Sequence, residues 1–283
     1  MANSENFDDR GFGEVKPRRV FAQHWLRSEA ALSAIINAGE LSSQDKILEI
    51  GPGTGILTQR LLPLVKSLVA VEIDRNLCKL LVQKYREKKN FILLQGDFLE
   101  LDLAGILAAY PEFQQPEKVM ANIPYNITGP IIEKLLGTIA QPNPQPFTSI
   151  VLLIQKEVAE RLVAKPSSRA FGALTVRVQY LAECEYVCTV PAKAFYPPPK
   201  VDSAVVKLTP RATYPPANNP KKLETIVKLG FSSKRKMLRN NLQSVMERDN
   251  LNQLLEKIAL NSQVRAEDLS IAQWVELCNH LFD

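Results

Sequence analysis

Four short segments of the chain combine glycine, acidic, amide and aromatic residues in an order that suits chemistry on a nucleoside. They are Glu49-Ile50-Gly51-Pro52-Gly53-Thr54-Gly55, Val71-Glu72-Ile73-Asp74, Gly96-Asp97-Phe98 and Asn122-Ile123-Pro124-Tyr125. Glycine lets the backbone turn tightly and come close to a ligand. Carboxylates accept hydrogen bonds from hydroxyl and amine groups. Together the segments predict a site for a ligand that carries both a ribose and an adenine.

The glycines of the first segment, Gly51, Gly53 and Gly55, have the spacing G-x-G-x-G. This spacing differs from the G-x-G-x-x-G that is typical of dinucleotide binding. We predict that this ligand is a nucleoside cofactor and that the three glycines bind it. Glu72 is predicted to accept hydrogen bonds from its ribose hydroxyls, and Asp97 from its adenine amine. Any tight turn can use glycine and any loop can carry an acid, so the prediction depends on all of these residues following successive strands.

The fourth segment, residues 122–125, combines hydrogen-bond acceptors with an aromatic ring, and such a combination can activate an amine such as that of adenine. The amine of adenine is a poor nucleophile because its lone pair is delocalised into the ring, and acceptors that bind its two hydrogens favour a pyramidal nitrogen. The side-chain oxygen of Asn122 and the carbonyl of Ile123 can supply these acceptors, and Pro124 restricts the preceding backbone to an extended shape. Tyr125 can stack on the base. In isolation the segment also fits an ordinary turn, and its place after the fourth strand favours catalysis.

The elements that must position these segments alternate along the first half of the chain. Apolar runs predict strands, and between them lie amphipathic stretches of helical period. Such a sequence predicts an α/β fold, a Rossmann-like, doubly wound, mostly parallel sheet with helices on both faces. Ser28 is predicted to cap a helix that ends at Gly39. The predicted strands are residues 46–50, 67–73, 91–95, 118–122 and 149–155, with a late pair at 184–190 and 201–208.

The chain is predicted to divide into three parts. Residues 1–19 are expected to form a mobile tail, and residues 20–210 the catalytic domain. The proline- and asparagine-rich stretch at 209–220 supports neither helix nor strand, so we place a boundary at residue 211. Only helical patterns follow it, and they predict a small all-α domain over residues 211–283.

Positive charge concentrates at the start of that last part. Residues 211–240 contain eight basic residues and one acidic residue, whereas the whole chain has a net charge of +5. Lys234, Arg235, Lys236 and Arg239 lie in residues 231–241, which we call the basic segment. We predict that it opens a helix with Arg235 and Arg239 on one face, where they contact RNA phosphates. A solvated helix face is the alternative.

The four chemical segments together resemble the S-adenosylmethionine-dependent adenine methyltransferases. The stretches PAKAFYPPPKVDSAVVKL (residues 191–208) and QHWL (residues 23–26) are similar to those of the bacterial small-subunit ribosomal RNA adenine dimethyltransferases, the kasugamycin-sensitivity enzymes. The resemblance runs from about Arg18 to the C-terminus. It implies a cytoplasmic, S-adenosylmethionine-dependent enzyme that dimethylates two adjacent adenosines near the 3′ end of small-subunit rRNA. The implied partner is an immature small subunit.

The resemblance also assigns further residues. It implies that His24 and Leu26 contact the cofactor, with His24 in place of the asparagine usual in the family, and that Gly51, Glu72, Asp97 and Asn122 do so as well. Phe195 corresponds to an aromatic that would sandwich the target base against Tyr125, with core packing as the alternative. Two other functions stay open: a large-subunit rRNA dimethyltransferase of the macrolide-resistance type, and a non-catalytic ribosome-assembly factor.

Composition excludes several other classes of protein. No apolar run approaches the roughly 20 residues that a bilayer span requires, and the polar N-terminus lacks the apolar stretch of a secretory signal. Four scattered cysteines predict reduced thiols rather than a disulfide framework or a zinc site. We therefore expect a cytoplasmic monomer that has neither a metal nor a membrane anchor.

Overall fold

A computed structural model describes residue 18, residues 23–212 and residues 215–282 of the chain. Within them, a seven-stranded sheet is flanked by helices. The strands of this sheet are β2 (Lys46–Ile50), β3 (Ser67–Glu72), β4 (Phe91–Gln95), β5 (Lys118–Asn122), β6 (Ser149–Gln155), β7 (Ala182–Val190) and β9 (Ser203–Pro210). Two short strands, β1 (Trp25–Leu26) and β8 (Phe195–Tyr196), pair separately.

The helices are spread over both halves of the chain. They are α1 (Glu29–Gly39), α2 (Ile56–Leu61), α3 (Arg75–Tyr85), α4 (Leu103–Leu107), α5 (Thr128–Leu136), α6 (Lys156–Leu162), α7 (Ala173–Leu181), α8 (Pro220–Gly230), α9 (Leu238–Asn241), α10 (Arg248–Lys257) and α11 (Ile271–Phe282).

The order of the strands across the sheet is β4-β3-β2-β5-β6-β9-β7. The five strands from β4 to β6 are parallel, and β9 runs antiparallel to both of its neighbours. All six residues of β3 are buried, as expected for a sheet that helices cover on both faces. The predicted α/β, mostly parallel fold is confirmed.

The position of the binding crevice follows from this strand order. The chain leaves β2 towards β3 and β4, and then returns to the other side of β2 to form β5. The connections that follow β2 and β5 therefore run to opposite sides, and a crevice opens at the carboxyl ends of these strands. The glycine turn (residues 51–55) follows β2, and residues 122–125 end β5 and continue beyond it, so both lie at this crevice.

The predicted cap of α1 is confirmed, but its C-terminal glycine has a different role. The Ser28 side chain accepts a hydrogen bond from the backbone N–H of Ala31, at 3.3 Å. Glu40, rather than Gly39, takes the left-handed conformation beyond the helix, with φ 45°. A Cβ on Gly39 would lie 2.8 Å from the Cε of Met120. Gly39 therefore lets the helix pack closely against the sheet.

The late strands pair as predicted, and the linker is shorter than expected. β7 pairs antiparallel with β9, with an irregularity between Tyr186 and Cys188. β9 extends to Pro210, so the first two residues of the predicted linker belong to a strand. Among the described residues that follow β9, residues 211–212 and 215–218 belong to neither a helix nor a strand, and Asn219 caps α8. The predicted mobile tail, residues 1–19, lies outside the described residues except for Arg18.

The predicted helix over the basic segment is wrong. Between Gly230 and Leu238 the chain forms turns, and the only helix in this stretch is the four-residue α9. The Asn241 side chain donates to the carbonyls of Gly230, at 2.6 Å, and Ser233, at 3.0 Å. It thereby satisfies carbonyls that a continuing helix would have bonded internally. Phe231 turns inward between Phe171 and Trp274.

One apolar core extends from the sheet into the C-terminal helices. A single cluster of buried side chains includes Leu48 of β2, Phe171 before α7 and the fully buried Trp274 of α11. α8 and α11 both pack against α7. Within the described parts of the chain, no helix has the length and apolar character that would let it span a bilayer.

Candidate active site

A cavity of about 290 Å³ opens at the crevice. Its lining combines residues from five separate stretches of the chain, together with Ile35 and Ile131, and it contains ten of the residues that the sequence analysis singled out. These are His24, Leu26, Gly51, Gly53, Glu72, Asp97, Asn122, Ile123, Pro124 and Tyr125. Gly55, Phe195, Lys234, Arg235, Lys236 and Arg239 are not among the residues that line it.

The glycine turn has the backbone shape that requires glycine. Gly51, Gly53 and Gly55 have φ values of 67°, 59° and 79°, a region that other residues rarely adopt. A Cβ on Gly53 would meet the Trp25 ring at 3.7 Å, on the cavity side. A Cβ on Gly55 would instead lie 2.8 Å from Leu81 and 2.9 Å from the hydroxyl of Tyr85. Gly55 therefore serves the packing of α3 against the turn, and its predicted contact with a cofactor is not supported.

Glu72 is held in place by the turn beside it. Its carboxylate accepts from the backbone N–H of Gly53 at 3.1 Å and from that of Asp74 at 2.9 Å. Burial raises the pKa of Glu72, and these backbone hydrogen bonds hold back the rise. Because each carboxylate oxygen can accept more than one hydrogen bond, Glu72 keeps acceptor capacity towards the cavity.

Asp97 follows β4 and is arranged by a local hydrogen bond. Its Oδ1 accepts from the backbone N–H of Leu99 at 2.9 Å, which is the geometry of an Asx turn. The residue lines the cavity at the carboxyl end of the strand beside β3. Glu72, the last residue of β3, and Asp97, two residues beyond β4, are therefore both presented to one cavity, as the sequence analysis predicted.

Glu49 is a site residue to which the sequence analysis gave no role, although it quoted Glu49 within the glycine motif. The side chain is buried, lines the cavity and accepts a hydrogen bond from the Thr58 hydroxyl at 2.7 Å. Burial raises the pKa of Glu49 to about 8, the bond from Thr58 opposes the rise, and the charge of Glu72 adds to it. The only available signal was an acid inside an otherwise apolar strand.

Trp25 is a second residue that sequence reasoning missed. It lines the cavity beside Gly53, and its indole Nε1 is buried without a hydrogen-bond partner. A buried N–H without a partner costs about 1–3 kcal/mol. This donor therefore suits a ligand that brings an acceptor into the cavity.

Asn122 stands at the end of β5 with its amide group oriented. Its Nδ2 donates to the carbonyl of His24 at 3.4 Å, which makes the side-chain oxygen the atom available to accept from a ligand. This bond uses the backbone of His24, whose implied contact with a cofactor stays a prediction. The His24 ring has its own partner, because its Nδ1 lies 2.7 Å from the carbonyl of Pro197 and must donate to it.

Tyr125 is fixed at both ends of its side chain. Its hydroxyl is hydrogen-bonded to the hydroxyl of Ser203 at 2.6 Å, and burial raises its pKa. Its ring lies against that of His24, with 5.8 Å between centroids and 22° between planes. The ring is therefore held in one orientation at the wall of the cavity, as a stacking partner should be.

Phe195 does not occupy the position that its expected role needs. Only 4% of the residue is exposed, and it belongs to the buried cluster that includes Leu26 and Leu153. It pairs with Leu26 through β1 and β8, and this alignment turns its side chain into the core. The structure therefore supports the core-packing alternative for Phe195, and stacking on the target base stays a prediction that this burial does not favour.

The four basic residues have different surroundings. Arg235 and Lys236 are exposed on the turns, and the Lys234 ammonium donates to the carbonyl of Arg169 at 3.1 Å. Arg239 is half-buried and donates to Asn252 at 3.3 Å, and its Nε is buried without a partner. The predicted shared helix face of Arg235 and Arg239 is wrong, because α9 begins only at Leu238.

Comparison with known proteins gives one consistent result. The chain matches the family model described as ribosomal RNA adenine dimethylase over residues 15–283. Proteins named ribosomal RNA small subunit methyltransferase A are 72% identical to it in Trichormus variabilis and 59% identical in Rippkaea orientalis. Each of these two alignments covers 94% of this chain and 98% of the relative.

Two solved structures are similar over most of their length. A dimethyladenosine transferase from Plasmodium falciparum has a TM-score of 0.75 at 28% identity, covering 90% of this chain and 96% of that one. The 23S rRNA methyltransferase ErmE has a TM-score of 0.70 at 26% identity, covering 92% of this chain and 100% of that one.

Proposed function

Because the chain belongs to the ribosomal RNA adenine dimethylase family, we propose that its cavity carries out methyl transfer from S-adenosylmethionine to adenosines of small-subunit rRNA. The chain is an rRNA adenine dimethyltransferase. The observation that carries the proposal is that residues 122–125 and the acidic ends of β3 and β4 line the same cavity. One part of this cavity suits an adenosine cofactor and the other suits a target base.

The residues present fit S-adenosylmethionine. Glu72 and Asp97 offer acceptors for ribose hydroxyls and an adenine amine, and Gly51 and Gly53 leave room for close approach. The unpartnered N–H of Trp25 offers a donor for the carboxylate of the methionyl group. The cofactor supplies a methyl group on a positively charged sulfur. A cavity lined by the carboxylates of Glu72 and Asp97 suits that charge.

The chain's own groups prepare the nucleophile. The Asn122 oxygen and the Ile123 carbonyl accept from the adenine amine, which favours a pyramidal nitrogen with a free lone pair. Tyr125 stacks on the base and holds its plane. Preorganised acceptors of this kind act in the transition state without reorganising, and removing one such hydrogen bond costs about 10²–10³ in rate.

The high identity to small-subunit enzymes, together with the VDSAVV stretch (residues 201–206) that leads into β9, favours the small-subunit substrate over the 23S substrate of ErmE. We propose that the targets are two adjacent adenosines near the 3′ end, presented by an immature small subunit to a cytoplasmic monomer. Intact acceptors at Glu72, Asp97 and Asn122 argue against a purely non-catalytic assembly role.

The experiment is single-turnover methyl transfer from S-adenosylmethionine to immature small subunits, with product adenosines mapped. We expect Asn122→Ala to lower the transfer rate about 100-fold or more while RNA affinity stays near that of the unmutated protein. Asn126→Ala is the matched control, because Asn126 lines the same cavity one residue beyond Tyr125. It should change the rate by only about twofold.

Two results would contradict the proposal. Transfer by Asn122→Ala at the unmutated rate would refute the role of its oxygen. If the unmutated protein transferred no methyl group to any small subunit or to rRNA, the non-catalytic alternative would be favoured.

A further inference from the structure

An aromatic side chain stands exposed beside the cavity without a role in it. Tyr196 is 49% exposed, and Val201 of the same loop is 47% exposed. Both belong to residues 191–202, which we call the rim loop. Among the described residues, few large apolar side chains are so exposed, and two of them share this loop. The rim loop therefore exposes more large apolar side chains than other surface loops of similar length among the described residues.

The pairing of β1 with β8 explains why Tyr196 faces outward. Leu26 is aligned with Phe195 and Trp25 with Tyr196. Successive side chains of a strand point to opposite faces. Because Phe195 enters the core, Tyr196 must lie on the opposite face.

Arg27 holds the Tyr196 ring from one side. Its guanidinium lies 4.3 Å from the ring centroid, and its backbone N–H donates to the carbonyl of Ala194 at 2.7 Å. The guanidinium side chain is itself exposed. An aromatic ring with a guanidinium against one face is a flat surface that is ready to stack on another planar group.

The rim loop is joined to the cavity by the residues that line it. His24 donates to the carbonyl of Pro197, and the next residue, Trp25, is aligned with Tyr196. Both of these residues line the cavity, and the His24 ring lies against Tyr125. Tyr196 therefore lies one strand-to-strand distance, roughly 5 Å, from Trp25 in the cavity wall. Tyr196 does not itself line the cavity.

The charge around the rim loop favours a polyanion. Lys193 and Lys200 are exposed on the loop, and Arg27 stands beside it. Asp202 is the acidic residue of the loop, and its carboxylate accepts from the backbone N–H of Ala192 at 3.0 Å. Exposed cations around an aromatic ring are typical of proteins that bind single-stranded nucleic acid.

We propose that Tyr196 and Arg27 form a stacking platform for a base next to the target adenosine in single-stranded RNA. This rests on the proposed function, since the target itself must enter the cavity where Asn122 and Tyr125 lie. The platform lies outside the cavity at its rim, so it holds a neighbouring base. It positions the strand and does not take part in methyl transfer.

The test measures RNA binding directly, independent of methyl transfer. The probe is a fluorescein-labelled single-stranded RNA of about twelve nucleotides with two adjacent central adenosines, titrated by fluorescence anisotropy. Stacking on an aromatic side chain tolerates loss of a hydroxyl but not loss of the ring. We expect Tyr196→Ala to weaken binding on the order of tenfold, and Tyr196→Phe to bind within about twofold of the unmutated protein.

The salt dependence separates stacking from charge. Tyr196→Ala removes no cation, so the slope of log affinity against log salt should not change. Arg27→Ala should make the slope shallower by about 0.7, the value for one phosphate contact on a single strand. Tyr110→Ala is the matched control, since Tyr110 is 45% exposed and does not line the cavity. It should leave both quantities unchanged.

The outcomes are distinguishable from failure of the proposed function. RNA binding that depends on Tyr196 in a protein that transfers no methyl group would support the platform and contradict the enzyme. Normal methyl transfer with Tyr196→Ala binding RNA as tightly as the unmutated protein would overturn the platform alone. A folded Tyr196→Ala that binds the RNA normally but binds small subunits poorly would assign the surface to a ribosomal protein, which also overturns the proposal.

Discussion

Acidic groups in a buried cavity pose an electrostatic problem at the scale of single residues. Glu49 and Glu72 both line the cavity and are both buried, and a carboxylate without solvent is costly unless it is paired or protonated. Glu72 is stabilised by two backbone N–H groups, whereas Glu49 accepts a hydrogen bond from the Thr58 hydroxyl. The pKa of about 8 means that Glu49 carries a proton at neutral pH.

This protonation predicts a pH dependence of stability. Because the folded pKa of Glu49, about 8, lies above the ordinary value of 4.5, the folded chain binds this proton more tightly than the unfolded chain. The free energy of unfolding therefore falls as the pH rises from about 4.5 towards 8. Glu49→Gln keeps an acceptor for Thr58 and removes the titration. We expect the melting temperature of the variant to fall less than that of the unmutated protein between pH 6 and pH 8.5.

The measurement is thermal unfolding followed by circular dichroism at several pH values. All other titrating groups are shared by the two proteins, so the difference between their curves reports mainly on Glu49. Parallel curves across this range would show that Glu49 is ionised in the folded state.

The glycine turn has two faces, one that borders the cavity and one that packs against α3. Gly53 faces the cavity and Trp25, and Gly55 faces Leu81 and Tyr85 of α3. The Tyr85 hydroxyl also donates to the carbonyl of Gly55 at 2.7 Å. The same spacing of glycines therefore lines the cavity on one side and packs a helix on the other.

The two faces predict different effects of the same substitution. Gly55→Ala combines left-handed backbone strain with overpacking against α3, so we expect a loss of about 2–4 kcal/mol in the free energy of unfolding. Gly53→Ala adds the strain without a close contact, so it should cost about 1–2 kcal/mol. Its larger effect should be weaker S-adenosylmethionine binding. Denaturant unfolding and calorimetry measure the two quantities, and equal stability losses would contradict this division.

The cations of the basic segment differ in how exposed they are. Arg235 and Lys236 are exposed, whereas Arg239 is half-buried and hydrogen-bonded to Asn252. Removing exposed cations that contact phosphates reduces counterion release and so lowers the salt dependence of RNA binding. Arg239 instead ties α9 to α10.

We therefore expect Arg235→Ala with Lys236→Ala to weaken binding of single-stranded RNA and to make the slope of log affinity against log salt shallower by about 0.7 per residue. Arg239→Ala should leave the slope nearly unchanged and lower the free energy of unfolding by about 1 kcal/mol. Anisotropy titrations at several salt concentrations, with parallel denaturant melts, separate these effects. An unchanged slope in the double variant would show that the basic segment is a solvated surface that does not contact RNA phosphates.

Across the whole molecule, side chains of α8 and α11 belong to the same buried apolar cluster as side chains of the sheet. Phe231 packs between Phe171 and Trp274, and Gly230 has no room for a Cβ because the Trp274 ring would be 2.5 Å away. The backbone N–H of Ala140 also donates to the side-chain carboxylate of Glu224 in α8, at 3.1 Å. The division into two domains at residue 211 stays a prediction. Because these contacts join the two parts, removing the second part tests whether each is independent.

A chain that ends at residue 212 should be much less stable than the full chain. It would expose Phe171 and the other buried side chains that α8 and α11 cover, each worth about 1.5–3 kcal/mol. We expect a melting temperature lower by about 10 °C or more. Trp274→Phe in the full chain is the control, with a smaller loss. An unchanged melting temperature after truncation would show that the C-terminal helices form an independent domain.

The parts of this protein that the sequence could determine are those in which a local pattern sets the outcome. Strands buried on both faces read as apolar runs, and left-handed turns need glycine, so the sheet and the glycine turn were predicted. Because parallel strands end at one edge, Glu72, Asp97 and Asn122 could be placed together before any distance was known. Segments that carry their own geometry are predictable in this way.

Tertiary structure alone decided the rest, because those residues take their roles from partners far along the chain. Phe195 and Tyr196 are adjacent aromatics, and only the pairing with Leu26 and Trp25, about 170 residues earlier, chooses which one is buried. The pattern of the basic segment favours a helix, yet the inward turn of Phe231 towards Trp274 interrupts it. Burial of a side chain is a property of its neighbours in space, and no local pattern contains them.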